Sequence, residues 1–251
     1  MKILVAIKQV AARDSLFAAS ADGKWIDESN LEFEINEPDA YALEEALQLR
    51  EAHGGEVVAL CAGPERASAT IREALAKGAD RAIHVAVGDI ADWDTLATAK
   101  LLAAAVKSEA PDLVLTGLQS DDVGAGQAGV VMAELLGMPH ATIIMQVVVN
   151  GAELRVKREL EDGWFQHVGM PLPAVLTIQS GIKKLRYATL MGIKKAKTKE
   201  VKLLTPGELG VERVASFEVV RVTLPQRSKQ TQMVATVAEL VEKLKNEVHV
   251  L

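Results

Sequence analysis

Five apolar residues, Ile3 to Ile7, run without a polar break and are followed by Lys8 and Gln9. A short continuous run of this kind fills the middle of a parallel sheet, buried on both faces. A long connection follows, Asp14 to Glu37, in which Asp22-Gly23 flanked by Trp25 and Phe33 predicts a hairpin or excursion. Over Asp39 to His53 the apolar positions Ala40, Leu43, Ala46 and Leu47 recur at helical spacing, and Gly54-Gly55 stops the helix. The pattern then alternates: strand Glu56 to Cys61, helix Glu65 to Lys77, strand Arg81 to Val87, helix Trp93 to Glu109, strand Leu113 to Thr116, and a helix near Gly126 to Leu136. Pro64 at one helix start and Gly78 just past its end are the expected punctuation. Strands alternating with amphipathic helices mean βαβ units, right-handed crossovers and a mainly parallel, doubly wound, Rossmann-like α/β sheet.

After Pro139 the texture changes to strands without helices: Thr142 to Val149, Glu153 to Leu160, Trp164 to Gly169 and Ala174 to Gln179, with Asn150-Gly151 as a hairpin signal. They are expected as antiparallel additions to the parallel sheet. From Thr205 periodicity is lost until Thr236, where Thr-Val-Ala-Glu forms a capping box and Val237, Leu240, Val241 and Leu244 mark one helical face. The polar stretch Gln226 to Gln232 separates this helix from the body. Residues 1–204 are thus expected to form an α/β nucleotide-binding domain and 205–251 an arm. The apolar stripe of its helix either packs back on the domain or reaches a partner subunit.

Composition narrows the classes. A chain of 251 residues, 49% hydrophobic, can bury one sizeable core. A net charge of −6 argues against nucleic acid and against an anionic membrane surface, and no apolar stretch is long enough to span a bilayer. Met1 to Gln9 has the wrong length and flanks for a signal peptide. The single cysteine, Cys61, excludes a disulfide framework and a Cys-rich metal site and fits a reducing compartment, with the cytoplasm the simplest.

In α/β sheets, ligands bind at the carboxyl ends of the strands. Ala6 to Gln9, Ala62-Gly63-Pro64 and Gly117 to Gly129 lie at such ends, and in the last the glycines at 124, 126 and 129 let backbone N–H groups approach a phosphate at a helix start. The segment is neither a Walker loop nor a dinucleotide fingerprint; it reads as a nucleotide loop, with a plain strand-to-helix turn as the alternative. Catalytic patterns are poor. Five histidines are scattered without metal-ligand spacing, Glu44-Glu45 reads as a solvated helix face, and Cys61 in an apolar strand reads as an inert core thiol. The basic tract of Lys183, Lys184, Arg186, Lys194, Lys195, Lys197, Lys199 and Lys202 frames an apolar tip, Leu190 and Met191. Such a tip suits a hydrophobic anchor with a charged rim for steering.

At this loop the sequence resembles a known family. Positions 184 to 197, Lys-Leu-Arg-Tyr-Ala-Thr-Leu-Met-Gly-Ile-Lys-Lys-Ala-Lys, are similar to the signature segment of electron transfer flavoprotein β subunits. Agreement extends through Val5 to Gln9, Asn36 to Asp39, Leu43 to Ala46, Gly63-Pro64, Gly78 to Arg81, Arg158 to Glu161 and Pro173 to Val175. The resemblance implies an electron carrier, not an enzyme: a heterodimer with an α subunit that holds most of the FAD. It implies docking of an acyl-CoA-type dehydrogenase through Leu190, with Met191, Tyr187 and Ile193 beside it in the recognition loop 183–202, and an acceptor such as a quinone oxidoreductase. It makes Glu159 a latch that pairs with an α-subunit arginine and steadies the mobile flavin domain, and it packs the C-terminal helix on that domain. It places AMP at Ala6, Asn36, Glu37, Pro38, Asp39, Ala62 and from Gly117 to Ala128, including Gln119, Asp122, Val123, Gly124, Ala125, Gly126 and Gln127. There the family's Asn-Gln-Thr reads Gly126-Gln127-Ala128, without two side-chain hydrogen bonders. Bifurcating members, which use NADH and hold a second FAD in this site, are the alternative. The chain keeps their Asp122, Gln127 and Gly129 but differs at Val123, Gly124, Ala125 and Val130, which favours a one-flavin carrier. Arg13 and Pro38 stand where some members present an aromatic residue to the α-bound flavin.

Overall fold

The first apolar run becomes β1 (Lys2–Ala6), an interior strand of the protein in a computed structural model that describes residues 1–88, 93–212, 216, 218–225 and 231–251. β2 (Gln9–Ala11) and β3 (Phe33–Ile35) pair antiparallel and close the predicted excursion, inside which Ala19 bridges Ile26 around a turn at Gly23. There follow α1 (Glu37–His53), β4 (Glu56–Gly63), α2 (Ser68–Lys77), β5 (Arg81–Ala86), α3 (Thr95–Glu109), β6 (Leu113–Gly117) and α4 (Ala128–Leu136). Then come β7 (His140–Asn150), β8 (Glu153–Glu159), β9 (Phe165–Pro171), β10 (Ala174–Ile178), α5 (Leu190–Ala196), β11 (Val201–Leu204) and α6 (Val237–Asn246).

Two helix starts differ from the sequence expectation. α1 begins at Glu37, because Pro38 is accommodated in its first turn, where the missing N–H costs no hydrogen bond. α4 begins at Ala128, because Gly124 and Gly126 adopt left-handed φ values of 66° and 63° and prolong the loop.

Among the described residues the main sheet has nine strands in the order β11-β5-β4-β1-β6-β10-β7-β8-β9. The chain winds from β1 outward through β4 and β5, then returns to β6 on the other side of β1, so the order reverses between β1 and β6. Ile3, Val5, Val57, Ala59 and Leu115 face α1 and α2, whereas Leu4, Val58, Leu60, Ile83 and Val114 face α3 and α4. This is a doubly wound α/β sheet, apolar on both faces.

The strands after Pro139 are only partly antiparallel. β8 and β9 are, but β10 lies parallel between β6 and β7. The cause is a bend in β7, which pairs with β10 through His140–Ile144 and with β8 from Ile144 to Asn150. Ile143 sits at that handover with φ 60°, and the register shifts on both sides. The bend carries the β7–β8 turn back beside Met1, His53 and Asp112, so the link after Pro171 re-enters the sheet at its amino end, where the Ala174 N–H donates to the Asp112 carbonyl.

β11 closes the far edge parallel to β5. Beyond it, α6 is capped by Thr236, whose Oγ1 accepts from the Glu239 N–H. No residue of α6 is buried: Val237, Leu240 and Val241 of its apolar stripe are exposed, so the stripe does not pack into the domain's core. Within the polar stretch that precedes it, residues 226–230 lie outside the described residues. Among the described residues no helix is long and apolar enough to cross a membrane.

Candidate functional site

The strand order reverses between β1 and β6, and in sheets of this kind the crevice for a ligand lies beyond the carboxyl ends of the strands at that point; α1 begins there. Asp39, in the first turn of α1, is fully enclosed there. Its Oδ2 accepts the Lys8 N–H at 2.7 Å and its Oδ1 the Gly117 N–H at 2.8 Å, so one side chain ties the ends of β1 and β6 together. Burial pushes its carboxyl up to about 7, against the pull of those two N–H groups, Asn36 and Lys8. Gly117 has to be glycine, since a Cβ there would lie 2.7 Å from Pro38 Cβ and 2.8 Å from the Asp39 nitrogen. Asn36 makes no helix cap; its Nδ2 donates to the Gln119 carbonyl at 3.0 Å and its Oδ1 accepts the Asp121 N–H at 2.8 Å.

The structure thus brings Asn36, Glu37, Pro38 and Asp39 onto Gly117 and the loop from Gln119 to Ala128, beside the strand ends that carry Ala6 and Ala62. Lys8 and Asp121, inside the segments the sequence marks but not singled out there, complete the cluster. Lys8 Nζ donates to Asp122 at 2.7 Å and to Ser120 Oγ at 3.4 Å, and the Glu37 N–H donates to Asp121 at 3.2 Å. A cation directly after a strand end and an Asp-Asp pair in the opposite loop were the available signals. Arg13 pairs with Glu37 and approaches Asp121 to 3.7 Å, so it binds the first loop to the crevice.

The donor set suits a phosphate. At α4 the N-cap Gln127 makes no side-chain cap bond and the first turn carries no acidic residue, which leaves its N–H groups facing the loop. The neighbouring carboxylates are already matched, Asp122 by Lys8 and Asp121 by Arg13. Gly129 lets α4 close onto the sheet, where a Cβ would lie 2.7 Å from Thr116 Oγ1 and 2.8 Å from Thr177 Cγ2; the buried Thr177 hydroxyl beside it has no partner.

Cys61 is buried in β4, and burial, with Asp39 second, pushes its thiol up to about 12. In the native protein at pH 8 its alkylation by iodoacetamide is expected to run on the order of a thousandfold slower than in the unfolded chain, measured by mass spectrometry of the modified cysteine.

The basic tract is less uniform than its sequence. Glu44 and Glu45, which read as a solvated face, are only 4% and 1% exposed, because two of the tract's cations fold over them. Arg186 forks onto Glu44 at 2.8 and 3.0 Å and onto Glu51 at 2.7 Å, and Lys183 approaches Glu45 to 3.6 Å. Burial raises the Glu44 carboxyl, but the bonds from Arg186 and Gln48 outweigh it and hold the group below its ordinary value. Lys199 is also committed, donating to the Leu75 carbonyl at 3.0 Å. Lys184, Lys194, Lys195, Lys197 and Lys202 remain exposed.

Between these anchors α5 is capped by Thr189, whose Oγ1 accepts the Gly192 N–H at 3.0 Å, and it is pressed onto α2. Arg72 of α2 donates to the Ala196 carbonyl at 2.6 Å and the Lys199 carbonyl at 3.1 Å. The outward face carries Leu190, 83% exposed, with Met191, Ile193 and, before the helix, Tyr187 at 91%. Glu159 stands elsewhere, at the end of β8, where among the described residues its side chain accepts only from Gln179 Nε2, at 3.3 Å. It lines an open hollow of about 660 Å³ with Arg158, Glu161, Asp162 and Trp164.

The electron transfer flavoprotein domain matches residues 24–209. The electron transfer flavoprotein subunit beta of Methylophilus methylotrophus is 36% identical, covering 97% of this chain and 96% of that protein. The mitochondrial electron transfer flavoprotein subunit beta of Oryza sativa subsp. indica is 40% identical over the whole of both chains, and the Homo sapiens subunit beta is 36% identical over 98% of this chain and 97% of that protein. Matched over its whole length, the chain belongs to the electron transfer flavoprotein β-subunit family, and so to an electron carrier rather than a classical enzyme.

Proposed function

We propose that the chain works as the β subunit of a one-flavin electron transfer flavoprotein, taking electrons from acyl-CoA-type dehydrogenases and passing them to a quinone reductase or similar acceptor in a reducing compartment such as the cytoplasm. The observation that carries this reading is the exposed apolar tip of α5, held outward by the Arg72 side chain of α2, which donates to the Ala196 and Lys199 carbonyls. FAD, held mainly by the α subunit, supplies the one- and two-electron redox chemistry; this chain's residues dock, orient and steady.

Leu190 enters a hydrophobic pocket of the dehydrogenase, with Met191, Ile193 and Tyr187 widening the contact and the exposed lysines facing carboxylates at its rim. Glu159, which lacks a cation of its own among the described residues, pairs with an arginine of the α subunit's flavin domain, and the uncovered stripe of α6 packs on that subunit. Arg13 lies towards the α-bound flavin. AMP fits the crevice at the carboxyl ends of β1 and β6. Asn36, Asp39 and the loop from Gly117 to Ala128 would hold it, with the start of α4 taking the phosphate.

Leu190→Ala in the heterodimer is expected to raise the KM for the dehydrogenase roughly tenfold or more at unchanged FAD content. A wild-type KM in steady-state transfer sinks the docking role. Ligands released from the heterodimer should count one FAD and one AMP; two FAD and no AMP would make it a bifurcating flavoprotein, the reading that Asp122, Gln127 and Gly129 keep open.

A further inference from the structure

We infer that Arg186 and Glu44 form the positioning element of the docking loop, an ion pair that sets where Leu190 stands on the body of the subunit. The inference rests on the docking role proposed for that loop.

The segment that carries the tip has two attachments. The later one is α5 against α2, through Gly192, Arg72 and Lys199. The earlier one is Arg186, four residues before Leu190. Its Nε and Nη2 donate to the two oxygens of Glu44, its Nη1 reaches Glu51 at 2.7 Å, and its backbone N–H donates to Glu44 at 3.3 Å. Between Arg186 and the cap at Thr189 the chain forms no regular structure, and Tyr187 lies out in solvent. The direction in which the first turn of α5 leaves the body is therefore shared between the Arg186 fork before it and the seat of Gly192 on α2 within it. A guanidinium meeting a carboxylate through two parallel bonds fixes angle as well as distance, which a single ammonium does not.

Stability alone is a poor reason for such a pair. Two charges lose most of their mutual attraction to desolvation, and an apolar pair of the same volume often serves a fold as well. A buried pair is better suited to selecting one arrangement among several, and here that arrangement belongs to the loop. Glu44 lies near the middle of α1, a helix tied at its first turn to the ends of β1 and β6 by Asp39, so the fork references the tip to the central sheet.

The test uses the flavin-loaded heterodimer with an acyl-CoA dehydrogenase driven by octanoyl-CoA. Three variants are compared: Arg186→Lys, the double variant Arg186→Met/Glu44→Gln, which leaves no buried charge unpaired, and Leu190→Ala. Positioning predicts that the double variant raises KM for the dehydrogenase about tenfold while kcat, FAD content and flavin reduction by dithionite stay at wild-type values. Arg186→Lys should fall between, at roughly threefold. A wild-type KM in the double variant, beside a raised one in Leu190→Ala, overturns the inference and leaves docking intact. Loss of FAD or of kcat in both Arg186 variants marks a merely structural role and also overturns it. A wild-type KM in all three brings down the docking reading as well.

Discussion

Asp39→Ala is expected to lower the stability of the subunit by roughly 2–6 kcal/mol, since the Lys8 and Gly117 N–H groups would each be left buried without an acceptor at about 1–3 kcal/mol apiece. For a protein of this size that is a fall in Tm of about 10 °C, read by calorimetry. The loss also frees the ends of β1 and β6 from each other, so a bound nucleotide should leave the variant heterodimer more readily during dialysis. An unchanged Tm would mean that water or a rearranged Asn36 takes over both donors.

Asp39→Asn separates charge from shape. The folded carboxyl holds its proton up to about 7, whereas the unfolded one releases it near its ordinary value of 3.8. Between those values the native state binds the extra proton, so the stability linked to this group is fully present below pH 4 and is lost as pH rises through 7. Over that window it amounts to an order of 4 kcal/mol. The carboxylates held low by their partners, Glu44 and Glu109 among them, act in the opposite sense below pH 4. The difference between wild type and Asp39→Asn isolates the one group: the advantage of the wild type should shrink steadily from pH 4 to pH 7, and a flat difference would contradict the burial argument.

What the sequence made legible follows the range of the forces involved. Hydrophobic period and glycine punctuation are local, and they place β1, β4 to β6 and α1 to α4 to within a few residues, while β11 falls inside a stretch that reads as a basic loop. The tip of α5 was also legible, because Leu190 and Met191 between lysines contradict burial on local grounds alone. The errors arose where a residue answers to a distant one. Glu44 and Glu45 look solvated by helix position, and only distant cations, Arg186 on Glu44 and Lys183 beside Glu45, make their burial tolerable. Lys8 looks like the polar end of a strand until Asp122 of another loop closes on it. The parallel entry of β10 depends on a bend at Ile143, a β-branched residue in a left-handed conformation that no propensity argument favours. Cations in the tract sort into committed and exposed only through contacts with α1 and α2, which is why a run that reads as one charged surface divides into Lys183, Arg186 and Lys199 on one side and Lys184, Lys194, Lys195, Lys197 and Lys202 on the other.

Gly192→Ala sets the two kinds of information against each other. Gly192 is the third residue of α5, and its φ does not lie in the left-handed region, so helix propensity alone favours alanine by about 1 kcal/mol. Packing says the reverse. A Cβ at that position would fall deep inside contact with the carbonyl oxygen of Ala76 in α2, and at 3.3 Å from Thr189 Oγ1, the atom that caps the helix. The first obstacle is backbone and cannot rotate away. Overpacking of this type costs about 1–3 kcal/mol, which exceeds the propensity gain, and relief comes by lifting α5 from α2. The effect should therefore be concentrated in the loop: amides of α5 exchange faster, the global Tm falls by only a few degrees, and the KM for a dehydrogenase rises roughly tenfold or more because the anchor leaves its direction. Leu190→Ala removes the anchor and leaves α5 protected; Gly192→Ala keeps the anchor and loses the protection. A variant with raised Tm and undisturbed exchange in α5 would show that α2 gives way to the methyl group, and the close seating of α5 would then play no part in presenting Leu190.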